Sequence, residues 1–116
     1  MTLNNYHYLR REIVSLLATD DLFTKAEQQP TRYSYAEAML ELGEKNPKVV
    51  VLDADVSKSV KTNAFAEKFP DRSFNFGVAE QNMMAAAAGM ATTGLIPYAT
   101  TYAVFASMRA LDMVRN

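Results

Sequence analysis

A parallel α/β fold is predicted by three observations. Helical and strand-like stretches alternate along the chain in the order helix, strand, helix, strand, helix, strand, helix, the pattern of crossover units with right-handed connections. The run Val49-Val50-Val51-Leu52 is apolar without a break, as a strand covered on both faces must be. Between Phe74 and Gly89 a short strand gives way, through Gly77, to an alanine-rich helix opened by a carboxylate, Glu80. The expected architecture is a parallel sheet with helices on both faces.

The elements follow in order. Leu9, Ile13, Leu16 and Leu17 recur at helical spacing between Tyr8 and Leu17, with Arg10, Arg11 and Glu12 between them. Residues 1–31 therefore read as an amphipathic helix and a polar linker, with residues 32–116 forming the domain proper. Ser34 and Glu37 have the spacing of a capping box. Tyr35, Met39 and Leu42 mark the apolar face of the helix that follows, which is expected to stop near Gly43. Asn46-Pro47 is a turn signal. After the Val49 strand comes a polar loop, Asp53 to Ser59, and then a helix over 62–68 that carries Phe65 and is closed by Pro70-Asp71.

The second strand is Ser73 to Phe76. Gly77 is expected to turn the backbone where a side chain would clash. The Glu80 helix runs to about Thr93, and Gly94 is its stop. Ala85 to Ala88 make this helix thin enough for close approach of another backbone. Leu95 to Thr100 form the third strand, with Pro97 near its start, where a missing N–H is tolerated. A helix over 102–116 carries Phe105, Met108, Leu111, Asp112 and Arg115. Three parallel strands with an open edge are a liability on their own, so the chain is expected to be a piece of something larger or to need a partner.

Composition bounds the function. The 116 residues carry a formal net charge of −1, and 49% of them are hydrophobic, which is the profile of one soluble globular domain. No basic excess points to nucleic acid. With no cysteine, disulfides and thiolate metal sites are excluded, in keeping with a reducing cytoplasm. The longest apolar run falls short of the ~20 residues that span a bilayer, and Met1 to Arg11 lacks the layout of a secretory signal. A soluble cytoplasmic protein, with no membrane or nucleic-acid partner, is the expectation.

Several chemistries drop out next. There is no glycine-rich phosphate loop and no serine in a nucleophile elbow. His7 is the only histidine and has no acidic neighbour to work with. Asp53 and Asp55, two apart, are too few for a metal site by themselves, and no metal ligand is assigned to this chain. Their plainer reading is a loop that caps the next helix. Tyr102, Phe105 and Met108 share helical spacing, which on its own reads as core packing. Glu80 has a plain reading too, since an acidic residue in the first turn complements the helix dipole by about 0.3–1 kcal/mol. It also lies where a strand hands over to a helix, the place where open α/β sheets bind ligands.

Three segments taken together carry more. Asp53-Ala54-Asp55-Val56-Ser57-Lys58-Ser59, Phe76-Gly77-Val78-Ala79-Glu80-Gln81-Asn82-Met83 and Thr100-Thr101-Tyr102-Ala103-Val104-Phe105-Ala106-Ser107-Met108-Arg109-Ala110 strongly resemble the pyrimidine-binding domain of the transketolase family. The likeness runs from about Arg32 to Asn116 and is greatest to the C-terminal subunit of split bacterial and archaeal transketolases.

The resemblance implies thiamine diphosphate as cofactor, with Glu80 as the catalytic glutamate that hydrogen-bonds a ring nitrogen of the aminopyrimidine. It implies that Phe105 stacks on that ring, Tyr102 supplies a second aromatic, and Asp55 lies toward the thiazolium side. Met108 stands where many relatives have a third aromatic, and Gln81-Asn82 where the family commonly has a histidine. The diphosphate and its magnesium or calcium ion would be held by a partner, the N-terminal diphosphate-binding subunit, in a homo- or hetero-oligomer. The likeness breaks off at Asn116, partway through the domain, so this chain is expected to supply half of a cofactor site at most.

The implied reaction is two-carbon ketol transfer between sugar phosphates. Deoxyxylulose-phosphate synthase and the beta subunits of 2-oxoacid dehydrogenases share the layout and are the nearest alternatives. A non-catalytic interaction or dimerisation fragment is the alternative of a different class.

Overall fold

A computed structural model describes residues 29–115. The expected helix over 8–17, most of its linker and His7 lie outside the described residues. The elements are α1 (Thr31–Lys45), β1 (Val49–Asp53), α2 (Ser57–Val60), α3 (Asn63–Lys68), a 3₁₀ turn (Pro70–Arg72), β2 (Ser73–Asn75), α4 (Glu80–Thr92), β3 (Ile96–Thr100), a π-turn (Phe105–Arg109) and α5 (Leu111–Arg115).

The three strands form a parallel sheet in the order β2-β1-β3. Every residue of β1 is buried, and its side chains alternate between two cores. Val49 and Val51 face one way, packing with Met39 and Leu42 of α1, Phe65 of α3, and Phe69. Val50 and Leu52 face the other way, against Met83, Ala86, Ala87 and Met90 of α4. This is why β1 is apolar throughout: helices cover both faces of the sheet, as expected. Ala86 and Ala87 let α4 settle close to the strands, while Ala85 and Ala88 face outward. Among the described residues β2 and β3 are both edges, one only three residues long and the other bearing Pro97 as its second residue.

Several boundaries differ from expectation, each for a local reason. The capping box at Ser34 does not form. Helix α1 starts a turn earlier, behind Pro30 with φ −58°, and Tyr33 N–H donates to the Pro30 carbonyl at 3.0 Å. Nor does α1 stop at Gly43. That residue is buried, and a Cβ there would lie 2.6 Å from the Phe65 ring and 2.8 Å from the Phe69 ring. Its lack of a side chain serves the close approach of α1 to α3, not helix termination.

Arg72 gathers carbonyls at the end of α1 and the start of β1, donating to Gly43 O at 2.9 Å, Asn46 O at 3.1 Å and Val49 O at 3.3 Å. The same guanidinium lies 4.1 Å over the Phe69 ring. The loop after β1 holds a short helix, α2, and Lys61 with φ 69° separates it from α3, so the expected helix over 62–68 begins one residue late. Gly77 has φ +68°, and a Cβ there would meet nothing within 4 Å. Backbone conformation, not a clash, calls for glycine at that turn. The C-terminal helix is interrupted: Ala110 N–H donates to Phe105 O at 3.2 Å, five residues back, and this widens the turn before α5.

Candidate functional site

The C-terminal ends of the three strands stand level, with Asp53 paired in register to Asn75 on one side and Thr100 on the other. The loops leaving this edge carry the candidate residues, the arrangement by which parallel sheets present ligand sites.

Asp53 is consumed by its own loop. Its buried carboxylate accepts from Val56 N–H at 3.1 Å and from the Thr62 hydroxyl at 3.3 Å. It ties Val56, just before α2, to Thr62, just before α3, from a buried position, where the plainer reading expected a solvated cap. Asp55 behaves differently. It is exposed, with φ 61°, a left-handed conformation that aspartate tolerates better than most residues. Its N–H donates to Asn75 Oδ1 at 3.2 Å, and the same oxygen accepts from Gly77 N–H at 2.8 Å. Asn75, absent from the sequence reading, ties the loop after β1 to the loop after β2.

Glu80 is the first residue of α4 and only 2% exposed. Both of its carboxylate oxygens accept from Arg109 Nη1, each at 3.0 Å. The Arg109 guanidinium also lies 4.1 Å over the Phe105 ring. Phe105 in turn sits 5.8 Å from the Tyr102 ring, tilted by 48°, and the Tyr102 hydroxyl donates to Ser59 Oγ at 2.7 Å. Tyr102 and Asp55 line a cavity of about 350 Å³ together with Val56, Ser57, Lys58 and Ser59.

One continuous series of contacts therefore runs Glu80, Arg109, Phe105, Tyr102, Ser59, and ends at the loop that carries Asp55. Glu80 and Phe105 meet through Arg109. Tyr102 and Met108 do not pack into the core, being 43% and 72% exposed, and Phe105 is half-buried. Met108 does not back the Phe105 ring because of the π-turn. In an α-helical turn residues three and four apart share a face, but in the wider turn the residue three on swings away and the one four on aligns. Arg109, four on from Phe105, lies beside the ring.

Gln81 donates to both oxygens of Asp112 at 3.1 and 3.2 Å, joining α4 to α5. Thr101 Oγ1, between β3 and Tyr102, is buried without a hydrogen-bond partner. Among the described residues no three His, Asp or Glu side chains cluster as metal ligands, and no helix is long and apolar enough to cross a membrane.

A buried carboxylate supplies two acceptor oxygens, an aromatic face lies near it, and a planar N–H-bearing guanidinium fits between them.

The profile of the family described as transketolase, pyrimidine binding domain, matches residues 27–116. A protein of Methanocaldococcus jannaschii named as a transketolase C-terminal section is 54% identical over 85 residues, covering 73% of this chain and 27% of that protein. A 1-deoxy-D-xylulose-5-phosphate synthase of Syntrophus aciditrophicus is 37% identical over 93 residues, covering 77% of this chain and 14% of the synthase. A solved split-gene transketolase, described as an inactive beta4 tetramer, superposes with a TM-score of 0.67 at 59% identity, covering 74% of this chain and 29% of that one. The chain thus spans less than a third of the length of each of these relatives. The match across 27–116, on a sheet whose C-terminal edge carries Glu80 and Phe105, makes this chain a member of the transketolase pyrimidine-binding domain family.

Proposed function

We propose that this chain forms the aminopyrimidine-binding half of a thiamine diphosphate site. With a diphosphate-binding partner it would support two-carbon ketol transfer between sugar phosphates. The observation that carries this reading is the buried Glu80 carboxylate, aligned by α4 at the sheet edge and linked through Arg109 to the Phe105 ring.

When bound, thiamine diphosphate supplies a carbon nucleophile, and the protein supplies orientation and electrostatics. Glu80 would share its carboxyl proton with a ring nitrogen of the pyrimidine. Phe105 would hold the flat ring, a contact of the kind that adds about 0.5–1.5 kcal/mol beyond burial. Tyr102, anchored by Ser59, would wall the ring subsite, and Asp55 would face the cavity beyond it. Lacking a ligand cluster among its described residues, the chain would leave the diphosphate and its magnesium or calcium ion to the partner subunit.

Identity of 54% to a transketolase C-terminal section and 59% to a split-gene transketolase, against 37–42% to deoxyxylulose-phosphate synthases, supports ketol transfer over deoxyxylulose-phosphate synthesis. The test is reconstitution with a diphosphate-binding transketolase subunit, thiamine diphosphate and magnesium, followed by an assay of ketose-to-aldose transfer. Turnover that needs both chains and the cofactor supports the reading. Complex formation with neither cofactor binding nor transfer would instead point to an interaction module.

A further inference from the structure

We infer that Arg109 is an internal gate on the ring subsite: its guanidinium fills the place of the aminopyrimidine and must swing out before the ring can bind. The inference rests on the assignment of Glu80 and Phe105 proposed above. Two contacts define that subsite, hydrogen bonds to Glu80 and stacking on Phe105. Arg109 makes both, donating to the two carboxylate oxygens at 3.0 Å while lying 4.1 Å over the ring. Guanidinium suits the role because it is planar, donates in its own plane and stacks on aromatic faces.

The gate is also able to open. The Arg109 side chain is 45% exposed whereas Glu80 is enclosed, so the arginine can exchange its partner for water and the carboxylate cannot. Arg109 further lines a second cavity, of about 440 Å³, with Gln81, Leu111, Asp112 and Arg115. Asp112, which accepts from Gln81 there, puts a carboxylate on the wall of the space into which the guanidinium would swing. The residue ends the π-turn, a local widening of the helix of the kind often found at functional sites.

A self-occupied site has its apparent affinity lowered by the fraction of molecules that stand open. A gate closed in about nine molecules of ten predicts that removing it tightens ring binding about tenfold. Titration of the isotope-labelled chain with thiamine, followed by NMR, measures this directly. In the wild type, thiamine should move the Arg109 Nε–H resonance along with the Glu80 and Phe105 amides.

Arg109→Met should lower the dissociation constant about tenfold. Arg109→Lys, which keeps the charge but not the planar fork, should fall between. If Arg109→Met loses its dispersed spectrum, the lysine variant and the wild-type Nε–H resonance carry the test. Equal or weaker binding by the folded variants overturns the gate, as does thiamine binding that leaves the Arg109 resonance in place. Glu80→Gln made in the Arg109→Met background, where the gate is already gone, separates the two ideas. Thiamine binding undiminished in that variant removes the Glu80 assignment itself, whereas binding that depends on Glu80 but not on Arg109 removes only the gate.

Discussion

The Glu80 carboxylate and the Arg109 guanidinium meet across 29 residues of sequence, with Nη1 at 3.0 Å from each oxygen. One partner is enclosed and the other half open to solvent. The arginine can therefore turn to water, while the carboxylate depends on a partner from the protein or a ligand.

The first prediction concerns Glu80→Gln. The amide keeps the shape, and Arg109 can relax into water, so the melting temperature should fall by no more than about 4–8 °C, equivalent to about 1 kcal/mol. Ketol transfer by the reconstituted enzyme should fall by orders of magnitude. Near-normal turnover would remove Glu80 from the catalytic role.

Gly43→Ala sets propensity against packing. Alanine in the middle of a helix is favoured over glycine by about 0.5–1 kcal/mol. Here its Cβ meets two rings at 2.6 and 2.8 Å, in a core where Phe65 is fully buried. Overpacking of this kind costs about 1–3 kcal/mol, so the variant should be less stable. Urea unfolding gives the sign, and a stabilised variant would show that α1 and α3 separate easily.

Arg72→Ala strips three carbonyls of their shared donor and uncovers the Phe69 face. Hydrogen bonds to a charged group contribute about 1.5–3 kcal/mol, and a loss of about 2 kcal/mol or more is expected. Arg72→Lys should rescue only part of it, since an ammonium cannot fork to three carbonyls while stacking. Full rescue by lysine, measured as the midpoint of chemical unfolding, would reduce the role of Arg72 to its charge.

Tyr35 predicts a pH effect. Its hydroxyl shares a hydrogen bond with Thr100 Oγ1 at 2.6 Å, tying α1 to β3. Burial raises the phenol above its ordinary pKa, and the bond to Thr100 offsets part of that rise while Tyr98 adds to it. The folded chain therefore keeps this proton to a higher pH than the unfolded chain does. The contribution to stability is intact below about pH 10, the ordinary tyrosine value, and is lost as the pH climbs through the raised pKa. Tyr35→Phe should be less stable at neutral pH by about 1 kcal/mol and should decline less steeply above about pH 10. Parallel declines in the two proteins would place the titrating group elsewhere.

Much of this molecule is legible in its sequence. The unbroken apolar run of β1 reads as double-faced burial, and that is how Val49 to Leu52 sit. The glycine-to-helix handover reads as the sheet edge, and Glu80 opens α4 there. Local signals misled where a tertiary neighbour mattered more. Gly43 looks like a stop but is a contact surface for Phe65. Ser34 looks like a cap, but Pro30 starts the helix before it is needed.

The sequence by itself determined the parallel α/β order, the burial of β1 and the place of Glu80 at the head of its helix. All three follow from spacings of a few residues, where backbone geometry dictates which side chains share a face. Only the tertiary structure decided what the carboxylate meets. In the wide turn from Phe105 to Arg109, Met108 stands in solvent and Arg109 lies over the ring and reaches Glu80. A wide turn of this kind leaves no local pattern to read, because the contacts that reward it lie on another helix, 29 positions upstream in the chain.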